Sequence, residues 1–236
     1  MNTNNKHEKV ICTVFGGEDD TTNIFPHCIA VGTIREKVFV LYGSGVLIHP
    51  KLALTAAHVV DDLGTNPIVI SIDFDVTSPG QKHLWGVANS FIHKQFDRTA
   101  KNKEPHDIAI MIFEHTLPIP ICPSAVPFYT PPTNDVIVAG YGATDTIGST
   151  GFGRKRFAHV KLIKPDGKTE LVAGPTTFPG PDADRGDSGG PLYIQSGPEL
   201  KVCAVVSRPI SIKKPHGGYG HLYTRIDAHW DFIQWA

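Results

Sequence analysis

A chain of 236 residues can bury a substantial core, either as one large domain or as two small ones. Its 22 Lys and Arg against 23 Asp and Glu leave a net charge of -1, which gives no basis for a nucleic-acid or anionic-membrane partner. No run approaches the roughly 20 apolar residues of a membrane span, and the opening MNTNNKHEKVICTVFGG lacks the apolar core of a secretory signal.

From Cys28 to Ile48 the pattern is strand, turn, strand: CIAVGTI, REK, then VFVLYGSGVLI, dense in β-branched and aromatic residues, which predicts a hairpin. KLALTAA and NPIVISIDF continue as strands. DIAIMIF alternates Ile108, Ile110 and Ile112 on one face, as a half-buried strand does. A proline-rich connector, LPIPICPSAVPFYTPPT (117–133), separates a second set of strands at DVIVAGYG, FAHVKLI, PLYIQ, KVCAVVS and HLYTRI. Between the first two of these, GATDTIGSTGFGRKRF (142–157) reads as a flexible loop without a phosphate-cradling G-x-x-x-x-G-K-[ST] pattern. Only DAHWDFIQWA at the end suits a helix, with Asp227 as N-cap and Trp230, Ile233 and Phe232 facing inward. Short strands joined by Gly- and Pro-rich turns predict an all-β protein.

Four cysteines, Cys12, Cys28, Cys122 and Cys203, are too sparse and too widely spaced for a disulfide scaffold or a zinc site. They are expected to be buried free thiols in a reducing, cytoplasmic compartment. No metal or other cofactor is expected. There is no H-E-x-x-H, and IDFDV brings Asp73 and Asp75 together without the further oxygen ligands that calcium requires.

The stretch DRGDSGGPLY (184–193) admits three readings: an activated nucleophile at Ser188, a G-x-S-x-G elbow, or an Arg185-Gly186-Asp187 adhesion tripeptide. A serine hydroxyl is a weak nucleophile at neutral pH and needs a base, an orienting acid and donors for the developing oxyanion. Among twelve histidines, His58 directly follows an apolar strand and precedes the acidic turn VVDDLG, while Asp107 heads DIAIMIF, where a carboxylate is otherwise a poor choice. The elbow requires alternating strands and helices with the acid and histidine after the serine, whereas only 48 residues follow Ser188 and the chain before it is strand after strand.

TAAHVV, HDIAIM and GDSGGPL occur in the order His, Asp, Ser, and the chain resembles the trypsin-like (chymotrypsin-fold) serine peptidases. The resemblance runs from VFGGEDDTTNIFPHCIAVG (14–32) through GSGVLI, VAGYGAT and VVS to LYTRI and a closing helix. It implies two six-stranded antiparallel Greek-key β-barrels packed together, one at about 26–117 and one at about 134–226, with a C-terminal helix at 227–236. It also implies that Ser188 attacks the scissile carbonyl, His58 relays the proton, Asp107 orients the imidazole, and the amides of Gly186 and Ser188 form the oxyanion hole. Residues 1–13 become a short activation peptide, removed by an upstream protease after Thr13 so that the new Val14 amine pairs with Asp187.

Asp182 falls where the family sets the charge at the base of the specificity pocket, which implies cleavage of protein or peptide substrates after Arg or Lys. Other pocket positions depart from the pattern. Ser207-Arg208-Pro209 stands where Ser-Trp-Gly is usual, Pro209 has no amide hydrogen for the substrate, and His221 lies near a position usually held by glycine, with Gly220 one residue away. The family's common disulfide positions lack cysteine, but Cys122 matches a family cysteine, so the resemblance admits a Cys12–Cys122 bond. The rival from another class is an inactive binding protein on a protease fold, and adhesion through Arg185-Gly186-Asp187 is a further one.

Overall fold

Most long strands of this chain bury both faces, because alternate residues enter different cores. The computed structural model describes residues 17–78, 83–99, 105–124, 134–144, 150–166, 168–175, 180–212 and 218–235. The expected activation peptide, Val14 and Cys12 lie outside them. In chain order the elements of the first half are β1 (Glu18–Asp19), β2 (Cys28–Arg35), β3 (Val38–His49), β4 (Leu52–Thr55), α1 (Ala57–Leu63), β5 (Val69–Ser71), β6 (Leu84–Gly86), β7 (Asn89–Ile92) and β8 (Ala109–Ile112). The second half contributes β9 (Asp135–Gly140), β10 (Arg156–Asp166), β11 (Glu170–Gly174), β12 (Pro191–Ser196), β13 (Glu199–Ile212) and β14 (Gly218–Arg225), then a 3-10 turn (Asp227–His229) and α2 (Trp230–Trp235).

β9, β10, β11, β14, β13 and β12 pair in that order, and β12 returns to β9, so the second half closes into an antiparallel six-stranded barrel with β1 added to β10. The first half pairs as β6-β5-β2-β3-β4-β8-β7. Only Val87 and Ala88 separate its two edge strands, and their amides donate to Ile68 and Ile112 respectively. The outer strands are thus two halves of one bent segment, and the sheet curls toward closure around it.

A two-residue period allots the side chains. Ile29 and Val31 of β2 and Ala109 and Met111 of β8 fill the first barrel, while Cys28, Ala30, Ile108 and Ile110 face the seam between the halves. On the other side Val136 and Val138 of β9 and Leu192 and Ile194 of β12 fill the second barrel, while Ala139 and Tyr193 face the seam. The expectation of a half-buried DIAIMIF strand is therefore corrected, since Ala109 and Met111 are as fully buried as Ile108 and Ile110. Two cores claim the strand.

The sequence reading placed no helix before the C-terminus, yet Ala57–Leu63 is helical. It has no side-chain N-cap and carries two β-branched valines, so burial of Ala57, Val59, Val60 and Leu63 rather than propensity holds it. β11 was also missed; all five of its residues are buried. The expected loop at 142–157 contains Lys155, which is 1% exposed and whose Nζ bonds Asn23 Oδ1 at 2.8 Å and the Phe25 carbonyl. Asp227 opens the 3-10 turn that leads into the final helix, with Ile226 at the N-cap position of that turn. The Asp227 carboxylate accepts two hydrogen bonds from the Arg225 guanidinium, at 3.0 and 2.7 Å.

Cys28, Cys122 and Cys203 are free and buried, and burial pushes the Cys28 and Cys122 thiols up to about 12. No helix among the described residues is long and apolar enough to cross a membrane.

At the centre of the seam Phe25 stacks on Tyr193, with centroids 5.1 Å apart, and tilts against Phe157 at 5.0 Å. Phe25→Ala removes the ring that both halves share. It should lower the unfolding free energy by about 3–5 kcal/mol, measured by urea denaturation, and the loss should appear in one cooperative transition.

Candidate active site

His58 lies on the first turn of α1, at the mouth of the first barrel, and Asp107 lies two residues before β8. The neighbouring β4 and β8 are paired, which brings the two positions together. The His58 ring Nδ1 is 2.8 Å from Asp107 Oδ2, and the His58 amide donates to Oδ1 at 2.9 Å. A second donor comes from the other barrel: the Ser207 hydroxyl reaches Asp107 Oδ2 at 2.6 Å. Ser207 can do this because the β13–β14 register skips it between Val206 and Arg208, and a bulged residue leaves the ladder and is re-aimed. Burial alone would raise the Asp107 pKa, but the His58 hydrogen bond and charge, the Ser207 hydroxyl and the His58 amide outweigh it and hold the carboxyl below its ordinary range. Asp107 is therefore an anion locked on the inner nitrogen of a half-buried imidazole.

Ser188 sits in the tight loop between Asp184 and Gly190, half-buried. The loop's amides are almost all engaged. Asp184 donates to Asp187 Oδ2, Arg185 to Asp184 Oδ1, Asp187 to the Asp184 carbonyl, Gly189 to Val206 and Gly190 to Asp187. The amides of Gly186 and Ser188 donate to no partner among the described residues. Gly186 has φ +96, a conformation that side chains resist. The Arg185 carbonyl is held by the Ala143 amide at 2.9 Å, so across the planar trans peptide the Gly186 N–H points the opposite way.

Ser44 of β3 fixes this loop against the first barrel. Its amide donates to the Ser188 carbonyl at 2.8 Å, its hydroxyl donates to the Gly186 carbonyl and accepts from the Tyr141 amide, each at 2.9 Å, and its carbonyl accepts from Thr55. Next to it, a Cβ on Gly43 would come within 2.7 Å of both the Ser188 carbonyl oxygen and Val59, the residue after His58. Ser188 and the His58 helix are thus close neighbours, spaced by a residue with no side chain.

Asp187 is fully buried. Its carboxylate accepts from the Gly142 amide at 2.8 Å and the Asp184 amide at 2.9 Å, and among the described residues it pairs with no cation. Such burial excludes the adhesion reading of Arg185-Gly186-Asp187, whose acid must be presented to a partner. A Cβ on Gly140 or Gly142 would strike this carboxylate, at 2.2 and 2.6 Å. Asp182 is also buried, and its Oδ2 is 3.1 Å from Nδ1 of His221, whose side chain is only 12% exposed. His221, and not Gly220, meets the carboxylate. Arg208 turns away to form a two-pronged pair with buried Glu170, and Pro209 is exposed on β13 opposite His221.

The family model described as Trypsin matches residues 14–235. The chain belongs to the trypsin family. It is 25% identical to Trypsin-1 of Astacus astacus over 94% of this chain and 98% of that protein. Identity is also 25% to Phenoloxidase-activating factor 3 of Holotrichia diomphalia, over 94% of this chain and 71% of the relative. A serine protease of Mycobacterium tuberculosis is 31% identical over 69% of this chain, a match that spans 36% of that longer protein.

Within this trypsin-family framework, the structure brings His58, Asp107 and Ser207 into direct contact, and Asp182 onto His221. It sets Ser188 and Gly186 in one loop with Asp187 beneath. Val14, the expected partner of Asp187, lies outside the described residues, as does Cys12, while Cys122 is a free buried thiol. Sequence reasoning missed Ser44, whose signal was present in GSGVLI but which offered no chemistry until its bonds across the seam were seen. It also missed the Ser207 contact to Asp107, because a bulge cannot be read from alternation.

Burial pushes the Asp187 carboxyl up to about 6, against two amide hydrogen bonds that lower it. Between its ordinary pKa and about 6 the folded chain holds a proton that the unfolded chain has released, so this group's contribution to stability is lost as pH rises through that window. At roughly 1.4 kcal/mol per unit, the loss is on the order of 3 kcal/mol. Urea unfolding of the Met1 chain and of Asp187→Asn between pH 4 and 7 should show the wild type losing that much relative to the variant; a difference independent of pH would contradict it.

Proposed function

We propose that this trypsin-family protein is a serine endopeptidase that hydrolyses peptide bonds through an acyl-enzyme. One observation carries the reading: in a loop whose other amides are engaged, those of Gly186 and Ser188 remain as donors beside a serine. Two such donors stabilise an oxyanion, each worth about 2.7–4 kcal/mol in the transition state. Asp107 keeps the proton on His58 Nδ1, so Nε2 is the base. Ser188 Oγ attacks the substrate carbonyl as His58 takes its proton. The tetrahedral intermediate collapses to an ester as His58 protonates the leaving amine, and water repeats the sequence to release the acid. Ser188→Ala should lower kcat by roughly 10^5–10^6-fold while leaving the melting temperature near that of the wild type. An organophosphonate should label Ser188; a folded wild type that neither cleaves casein nor takes the label is instead a binding protein on a protease fold.

Activation by removal of residues 1–13 is part of the same reading. A carboxylate buried among amides without a described cation is poised for an incoming amine, and buried charges are costly when unpaired. The relative from Holotrichia diomphalia is named for activating another protein, in keeping with a role for such proteases in sequential activation. A chain beginning at Val14 should therefore exceed the Met1 chain in kcat/KM by tenfold or more on a peptide ester. Equal rates would sink the zymogen idea and leave the Ser188 chemistry intact. Free buried thiols are consistent with a reducing, cytoplasmic setting.

The pocket base favours Arg or Lys through Asp182, with His221 as competitor. A substrate guanidinium can reach the carboxylate only by displacing the imidazole. His221→Gly should open the pocket and raise kcat/KM for Arg and Lys peptides by roughly 10–100-fold, about 1.4–2.7 kcal/mol, with little change for substrates ending in small apolar residues. No gain for the basic substrates would mean that Asp182 does not set the preference.

A further inference from the structure

Away from Ser188, three histidines meet where the first barrel touches the C-terminal segment. His93 follows β7, His106 precedes Asp107, and His229 closes the 3-10 turn. One ligating ring nitrogen from each lies within 4.8 Å of the other two. His229 is buried, and its Nδ1 is 2.7 Å from the Arg225 carbonyl oxygen, a contact that requires the proton on Nδ1. Its Nε2 therefore presents a lone pair, and it faces His106 Nδ1 at 3.1 Å. A carbonyl that fixes the tautomer and orientation of an imidazole is the usual outer support of a metal ligand.

The surroundings hold the three rings together. The His93 and His106 rings stack at 4.9 Å and 14°, His229 meets both edge-on, and Phe232 closes the apolar side against His93. His106 has φ +48, in the left-handed region that histidine enters more readily than most residues with a side chain. His93 and His106 are half-buried, so an ion has a route in.

We propose that His93, His106 and His229 form a zinc site, with a water molecule as fourth ligand. Zinc–nitrogen bonds of about 2.0–2.1 Å in a tetrahedron set neighbouring nitrogens roughly 3.3 Å apart, close to the His106–His229 spacing of 3.1 Å, and the His93 ring must close by up to about 1.5 Å and tilt from its stack on His106 so that its lone pair turns to the ion. Binding exchanges the proton that His106 Nδ1 shares with His229 Nε2 for the ion, the His106 proton moving to Nε2. It also gives up the long 3.3 Å hydrogen bond from the Gln95 amide to His93 Nδ1. Neutral imidazoles favour zinc over calcium or magnesium, which take oxygen ligands. The occupied site ties the C-terminal segment to the segments flanking β7 and β8.

The test uses the full chain carrying Ser188→Ala, so that its outcome does not depend on peptidase activity. Calorimetric titration with zinc chloride should give one ion per chain and a higher melting temperature, and cobalt should show the intense visible absorption of a tetrahedral site. His93→Phe keeps the stacked ring and its edge contact but removes a ligand, and His229→Gln removes another. Each should weaken zinc binding at least tenfold while circular dichroism stays unchanged. Absence of zinc binding, or a His93→Phe variant that binds within tenfold of the parent, overturns the proposal. If His229→Gln does not fold, His93→Phe decides.

Discussion

A carboxylate with no exposed surface, Asp187, sits where the two halves meet, and its oxygens must be satisfied by backbone amides because water does not reach them. That requirement shapes everything around it. Gly140 and Gly142 lack side chains because the carboxylate occupies that space, and the loop from Asp184 to Gly190 folds tightly enough to use nearly all its own amides. What is left over is the pair of amides at Gly186 and Ser188, in a turn where Gly186 has φ +96. The candidate site is thus the remainder of a packing problem.

Neither half contains the constellation alone. The first barrel supplies His58 and Asp107, the second supplies Ser188 and Ser207, and Ser44 binds the two through its amide and hydroxyl. Asp107 shows why the seam must be tight. Its carboxylate answers to a helix of one barrel and a bulge of the other, and a charge at that depth is stable only while both donors stay in place.

Much of this was legible in the sequence. The strands appeared through β-branched runs and alternation, and His58, Asp107 and Ser188 stood out because each sits in a short distinctive word, whereas Asp182 and Asp187 were placed only by their register before Ser188 in the family resemblance. What alternation could not reveal was which face meets which core, so DIAIMIF read as half-buried when it serves two. Propensity hid α1, whose valines and missing cap argue against a helix that tertiary burial nonetheless enforces. Contacts distant in sequence were hidden as well. His221 meets Asp182 only through the β11–β14 side of the barrel, and the three clustered histidines come from segments far apart in the chain, where no spacing rule applies.

The bend between β6 and β7 has a bearing on association as well as on shape. Open sheets invite foreign strands wherever a row of amides and carbonyls lies unpaired. Among the described residues the outermost strands are β1, β6 and β7, of two, three and four residues, and each of the other strands is paired on both sides over at least part of its length. Each of these three described edges offers an intruding strand only a few rungs. Whatever shelter the sheets have at their outermost strands therefore comes from the brevity of those strands and the bend that joins two of them, rather than from surface charge.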